Sequence, residues 1–398
     1  MWTGPGARAD DIKTGFVPEQ PLFTSSQARA VLENLQISRA RAGEEPKVLP
    51  PEELERWIDR QVRVFGAEWL AQLEAKGKEV AAALGWTRES DRLDYLMEAL
   101  RGGASPYRLR TDFARSRAAG RPFDPERITL FGNLHARLAR EQFPSLSRPP
   151  AAERDNRAFW EAYFSNFIEG TKFTVEEARA IVYEPAAATS LVSRRPEDAH
   201  DVRETFRLIV DPNVSSQVPA RAEGLFDVLK RRHARMMASR VTIEPGVFKR
   251  RSNEFGSRVF VKPELVKETL ARAWVGARNL ESATARSLYV LFVLAEVHPF
   301  NDGNGRISRL GMNAELEAAG QARLILPNSF RNDYLGVLEA LTLRWDPEPF
   351  VSFAHKLIEI NGHIPFGSFE QTHDYFRRTG ALDEQAAPLS LLPFIAGQ

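Results

Sequence analysis

Residues 298–309, His-Pro-Phe-Asn-Asp-Gly-Asn-Gly-Arg-Ile-Ser-Arg, place a histidine, a carboxylate, two glycines and two arginines within twelve positions. His298 is the natural general base of such a set. Asp302 is an oxygen ligand of the kind that suits Mg²⁺ when the ion also touches phosphate oxygens. Gly303 and Gly305, flanking Asn304, let a backbone approach a ligand closely, because no Cβ intervenes. Unpaired N–H groups at a glycine-bearing helix start form an anion-binding nest. Arg306 lies in the first turn of the following helix and Arg309 one turn later. Two arginines and a nest suit a polyphosphate better than a single carboxylate. The chemistry implied is phosphoryl or nucleotidyl transfer. The stretch is not a P-loop, since Gly-x4-Gly-Lys-Ser/Thr is absent here.

Two predicted helices must position this loop. Ser287–Val297 is almost entirely apolar and predicts a buried helix that delivers His298. Ile307–Ala319 predicts a second helix, ending at Gly320. A third lies upstream, Arg154–Gly170, ending Tyr-Phe-Ser-Asn-Phe-Ile-Glu-Gly. Trp160, Tyr163, Phe164, Phe167 and Ile168 share one broad face, so this helix packs hard against something. Ser165 and Glu169, four apart, share another face, and Gly170 fits a C-cap. A carboxylate at a helix C-terminus opposes the dipole and calls for a partner.

The loop resembles the signature of the Fic family, His-x-Phe-x-Asp/Glu-Gly-Asn-Gly-Arg-x-x-Arg, at every specified position. Ser165–Gly170 resembles that family's inhibitory helix motif, Ser-x-x-x-Glu-Gly, in the class that carries the helix N-terminal to the signature. The resemblance implies transfer of AMP from ATP to a protein Ser, Thr or Tyr hydroxyl, with pyrophosphate released. It implies His298 as the base and Asp302 as the Mg²⁺ ligand. The backbone of Gly303–Gly305, with Asn304, would form the anion hole. Arg306 would contact phosphate, and Arg309 would take the γ-phosphate when Glu169 releases it. Phe300 would be a packing anchor.

The rest of the chain sets limits. It has 398 residues, 43% hydrophobic and 27% charged, with a net charge of +1 and no cysteine. Disulfides, zinc–thiolate sites and a cysteine nucleophile are excluded. The charge balance suggests no nucleic-acid or membrane partner. No signal-peptide-like or bilayer-length apolar run is present, so a cytoplasmic protein is expected. Residues 1–150 carry no motif and read as a helical accessory region, with an irregular start over 1–30 and Ser147–Pro150 as a linker. Residues 185–200 read as a loop. Val241–Lys262 reads as a β-hairpin without a tight two-residue turn, in the place of the family's flap. Lys230, Arg231, Arg232, Arg235 and Arg240 form a basic cluster. Asn328 is expected to cap a helix, Asn361-Gly362 to close another, and 363–398 to be a weakly ordered tail.

The expected fold is therefore mainly α: a Fic-type helical bundle over 151–362 with a small hairpin flap, plus the helical N-terminal region. The expected function is an autoinhibited protein adenylyltransferase with ATP as substrate and Mg²⁺ as cofactor. Its partner would be a protein bearing a hydroxyl side chain, with automodification included. Two alternatives stay open. One is removal of AMP, or transfer of another phosphate-containing group, at the same site. The other is a nucleotide-sensing or DNA-binding regulator, suggested by the basic cluster.

Overall fold

Apolar stripes at helical spacing, closed by glycine or opened by Ser, Thr or Asp, become eighteen α-helices among the described residues. The computed structural model describes residues 12–14, 22–37, 47–186, 188–255 and 258–383. Chain packing divides it into two units, Met1–Phe123 and Asp124–Gln398. That division falls before the expected boundary at 150, because the helix opening at Asp124 packs with the second unit.

The first unit contains a short antiparallel pair, β1 (Ile12–Thr14) and β2 (Leu22–Thr24), in part of the stretch read as irregular. Five helices follow: α1 (Gln27–Asn34), α2 (Pro51–Phe65), α3 (Glu68–Leu84), α4 (Thr87–Leu100) and α5 (Asp112–Ala118). Leu32, Leu54, Ile58, Leu93 and Leu96 are buried together. Buried Glu55 is satisfied by Arg110 N, Thr111 N and Thr111 Oγ1, at 2.8, 2.8 and 2.6 Å.

The second unit begins with α6 (Pro125–Leu138), capped by the Asp124 side chain as its Asp-Pro start predicts. Next come α7 (Arg154–Ile168), α8 (Val175–Tyr183), α9 (Thr189–Arg194), α10 (Pro196–Val210), α11 (Pro212–Ser215) and α12 (Ala222–Met236). The expected 185–200 loop therefore contains α9 and the start of α10. The hairpin is much shorter than its β-prone sequence suggested. Only β3 (Glu254–Phe255) and β4 (Arg258–Val259) pair, in the register Glu254↔Val259 and Phe255↔Arg258. That register leaves two residues between the paired positions, a shorter connection than expected. Val241–Ile243 is a 3₁₀ turn instead of a strand.

Then follow α13 (Val266–Arg278), α14 (Ala283–Val297), α15 (Asn304–Ala318), α16 (Arg331–Arg344), α17 (Glu348–His363) and α18 (Phe369–Arg378). α14 is buried on nearly every side, as its sequence predicts. α15 packs against it so closely that a Cβ on Gly311 would lie 2.7 Å from Leu294 Cδ1. Asn328 does not cap α16; Phe330 holds that position, and Asn328 Nδ2 donates to Leu382 O. Asn361 does not close α17, because its side chain bonds the Ile325 backbone instead. The expected tail is also partly structured: α18 belongs to the core through Phe376, and 384–398 lie outside the described residues.

α7 is packed through aromatic side chains. Trp160 stacks on Phe369 at 5.4 Å and meets Phe376 edge-on at 4.9 Å. α18 thus buttresses the helix that carries Ser165 and Glu169. Trp160 is fully buried. Trp160→Ala should lower the stability of the second unit by about 3–5 kcal/mol, read as a drop in the urea midpoint. An unchanged midpoint would mean that this aromatic contact is not what holds α7.

Candidate active site

α14 ends where His298 turns into the left-handed region, at φ 52° and ψ 61°. Such a conformation is uncommon for a residue with a Cβ and lifts the ring out of the helix. His298 Nδ1 meets Ala295 O at 3.2 Å. A carbonyl only accepts, so Nδ1 carries the proton and Nε2 keeps its lone pair. The ring stacks on Phe260, 3.8 Å between centroids and 10° from parallel. Burial pushes the His298 pKa down to about 4, and the nearby Lys249 and Arg258 charges act in the same direction. His298 is therefore a neutral base at physiological pH.

Lys249 is itself buried, donating to Asn253 Oδ1 at 2.6 Å, and burial lowers its pKa to about 7. Glu296, two residues before His298, is fully buried. It pairs with Arg258 of β4 at 2.7 Å and Arg127 of α6 at 2.9 Å. Arg127 also holds Val259 O at 2.9 Å, so the flap strand is anchored to the helix that delivers the base.

The loop after His298 closes on itself. Asn304 Oδ1 accepts from Phe300 N at 2.8 Å, and Asn304 Nδ2 donates to Phe300 O at 2.9 Å. The Asn304 side chain is thus a buried loop clasp, not the anion-hole group expected. Gly303 caps α15 with φ 74°, and a Cβ there would lie 3.1 Å from Met237 Sδ. α15 starts at Asn304, three residues earlier than its apolar pattern suggested, because the glycines that enable the tight start hide it. The N–H groups of its first turn have no acceptor within the helix.

Arg309 is 4% exposed and gathers α7 around itself. Its Nε donates to Ser165 Oγ at 3.0 Å, and its Nη2 donates to Ser165 O and to Glu169 Oε1, each at 2.8 Å. Glu169 caps the C-terminus of α7, and Gly170 follows at φ 95°. Gly170 N bonds Phe167 O and Thr171 N bonds Asn166 O, a Schellman arrangement that ends the helix. The Glu169 carboxylate also lies over the start of α15. A Cβ on Gly305 would stand 2.1 Å from Glu169 Oε1, so a side chain there would displace the carboxylate.

These groups face a cavity of about 350 Å³, lined by Glu169, His298, Asp302, Gly305, Arg309 and Arg331 among others. Arg306 is not among its walls. Its guanidinium is buried and held by Asp201 at 2.6 Å and Asn166 at 3.2 Å, away from the expected phosphate contact. Arg331, which the sequence reading did not single out, donates to Ile168 O at 3.1 Å at the end of α7. His233 was also missed. It is fully buried, its Nδ1 accepts from Gly246 N at 2.8 Å, and its Nε2 meets Asp302 O at 3.0 Å. Burial pushes its pKa down to about 4 as well. A cationic run hid this histidine, and only the fold brings it to the loop.

No cluster of three or more His, Cys, Asp or Glu side chains suited to a metal occurs among the described residues. Asp302 is exposed, and its Oδ1 accepts from Gly303 N at 2.6 Å. One exposed carboxylate fits Mg²⁺ in the mode where phosphates and water supply the other ligands.

Residues 226–316 match the family model described as "Fic/DOC family". The chain is 31% identical over 207 residues to "Protein adenylyltransferase Fic" of Drosophila persimilis, covering 50% of this chain and 39% of that protein. It is 27% identical over 248 residues to "Protein adenylyltransferase fic-1" of Caenorhabditis elegans, covering 61% and 48% respectively. The chain thus spans less than half the length of these curated relatives. Among solved structures, a C. elegans Fic-1 fragment gives a TM-score of 0.43 at 21% identity, covering 84% of this chain and 95% of that one. A Fic family protein from Desulfovibrio desulfuricans G20 gives 0.40 at 21%, covering 67% and 77%.

The two depressed histidines make a pH prediction. Above pH 6.5 both rings are neutral in the folded and unfolded chain. Between 6.5 and about 4 the unfolded chain takes up protons that the native rings refuse, so stability falls as pH falls. Each ring costs about 1.4 kcal/mol per pH unit in that window. Going from pH 7 to 5, His298→Ala should lose about 2 kcal/mol less stability than wild type in urea titrations. Equal losses would contradict a neutral, buried His298. Residues 226–316, which end just after the signature loop, are the part of the chain that is similar to the Fic/DOC family.

Proposed function

We propose that this protein is an autoinhibited adenylyltransferase that moves AMP from ATP to a hydroxyl side chain of a protein. One observation carries the reading. The unprotonated Nε2 of a neutral His298 shares a single cavity with the α15 N-terminus and with Arg309. A base, an anion nest and a γ-phosphate ligand are what that transfer requires. The names of the relatives support it, since each is called a protein adenylyltransferase.

In the reaction, His298 Nε2 takes the proton of the incoming hydroxyl. The oxygen forms a bond to the α-phosphorus, and the bond to the β-phosphate oxygen breaks, releasing pyrophosphate. Asp302 would hold Mg²⁺ on the phosphates, where the ion neutralises charge on them. The unpaired N–H groups around Gly305 stabilise charge developing on the phosphoryl oxygens. Arg309 orients the γ-phosphate. Phe260 and Ala295 O keep the base in one tautomer and one plane.

Inhibition follows from Arg309 and Gly305 together. Glu169 takes one Arg309 nitrogen and lies against Gly305, so it fills the space that the phosphates need. α7 lies outside the matched segment, so this part of the reading rests on the geometry and on the motif resemblance of Ser165–Gly170.

Removal of AMP from a modified protein uses the same cavity. Glu169, which faces His298 across it, would then position water. The DNA-binding alternative loses its motive. Arg232 is buried on Val214 O and Gln217 O, Arg235 pairs with Glu204, and Arg240 pairs with Glu197, Asp198 and Asp201.

Intact-protein mass spectrometry after incubation with ATP and Mg²⁺ tests the proposal. Glu169→Gly should raise AMP incorporation into the protein itself roughly ten- to a hundredfold, the worth of one charge-assisted hydrogen bond. Adding His298→Ala should reduce it again by about 10²–10⁴-fold, with ATP binding retained. A folded Glu169→Gly protein no more active than wild type would sink the inhibitory role. Activity in Glu169→Gly that survives the loss of His298 would remove the base assignment. Release of AMP from a modified substrate by wild type, but not by Glu169→Gly, would favour the reverse reaction.

A further inference from the structure

We infer that His233 is a positioning residue that sets the orientation of the Asp302 carboxylate toward the divalent ion accompanying the nucleotide. The inference rests on the transferase reading above and concerns a residue outside the signature. His233 sits near the end of α12, fully buried. Its ring meets two backbone groups of opposite kind. Gly246 N–H can only donate, so Nδ1 is unprotonated. Asp302 C=O can only accept, so Nε2 carries the proton. The ring is therefore held as the neutral Nε2–H tautomer, the opposite of His298. It also stacks flat on Phe300, at 3.8 Å between centroids and 3° from parallel.

The consequence runs through one peptide group. The Asp302–Gly303 peptide is planar, so fixing its C=O fixes its N–H. His233 Nε2–H holds the C=O at 3.0 Å. The N–H of the same peptide, Gly303 N, donates to Asp302 Oδ1 at 2.6 Å. The ring thus sets the plane, and the plane sets the carboxylate. Asp302 itself is exposed, and glycine follows it at φ 74°, where the chain alone restrains little. Without His233 the peptide can turn and take the carboxylate with it. Partners that orient a metal ligand typically contribute ten- to a hundredfold in affinity.

Two substitutions separate the halves of this contact. In His233→Gln the side-chain amide nitrogen reaches the place of Nε2 and keeps the donor to Asp302 O. In His233→Asn the side-chain oxygen falls near Nδ1 and keeps the acceptor for Gly246 N, but the donor is lost. Both lose the stacked ring. The measurement is ATP affinity by calorimetry, with Mg²⁺ and with EDTA, in Glu169→Gly, which frees the phosphate space, and in that background carrying His233→Gln, His233→Asn or Asp302→Ala. The Mg²⁺-dependent gain should survive within about threefold in His233→Gln. It should fall roughly tenfold or more in His233→Asn, toward the Asp302→Ala value, while affinity in EDTA stays unchanged.

An undiminished Mg²⁺-dependent gain in His233→Asn overturns the inference. So does an equal loss in EDTA, which marks a structural role only. If both variants fail to fold, ¹⁵N–¹H imidazole spectra of Glu169→Gly decide. The His233 Nε2–H signal should shift on adding Mg²⁺–ATP and not on adding ATP with EDTA, and no difference between the two overturns it. If Glu169→Gly alone gains no ATP affinity from Mg²⁺, the transferase reading falls together with the inference; a normal gain there left intact on adding His233→Asn removes the inference alone.

Discussion

A guanidinium has a fixed fork of donors, and Arg309 commits part of that fork to α7 in this structure. Its Nε and Nη2 hold Ser165 and Glu169, and its own helix faces the cavity where a triphosphate would end. One arginine cannot give full bidentate contact to a carboxylate and to a γ-phosphate at once. The same competition sits at Gly305, where the carboxylate oxygen already occupies the approach to the helix N-terminus. The aromatic wall of α7 gives this contact its rigidity. Trp160, Phe164 and Phe376 leave the helix little freedom to withdraw, so release falls to the Glu169 side chain and the last turn. Arg309 keeps two bonds to the neutral Ser165 oxygens when Glu169 leaves, and its charge is then open to a phosphate.

Around this pair, the catalytic loop is braced by groups that carry no net charge into the cavity. His298 and His233 are both buried, neutral, and locked in opposite tautomers by backbone partners. Asn304 ties Phe300 to the helix start, and Asn253 Nδ2 ties Phe300 O to the flap at 2.9 Å. The buried charges Arg127, Glu296 and Arg258 anchor the flap strand from behind. The exposed faces of the loop, Asn301 and Asp302, are left to meet ligand.

The helices and the signature were legible because each has a local cause. Asp124-Pro125 caps α6, and the apolar run before His298 forms a buried helix. Glu169 was expected to pair with Arg309, and it does; the two Arg309 bonds to Ser165 were not foreseen. What was misread depends on contacts distant in sequence. Arg306 is turned from phosphate by Asp201, which lies 105 residues away. Asn304 looked like an anion-hole donor because its closing bonds to Phe300 need the loop's three-dimensional course. His233 sat in a cationic run that dominated its reading. The hairpin was overextended because β-branched residues such as Val241 and Ile243 were counted as strand where the chain makes a 3₁₀ turn. The tail's α18 was missed because its apolar face is short and proline-flanked.

The competition at Arg309 can be measured without turnover. Affinities for ATP, ADP and AMP are compared in wild type and Glu169→Gly, with Mg²⁺ held constant. If the γ-phosphate and Glu169 contend for one guanidinium, removing the carboxylate strengthens ATP binding by roughly tenfold or more and changes ADP and AMP far less. An equal gain for all three nucleotides, or none for ATP, would contradict a shared Arg309.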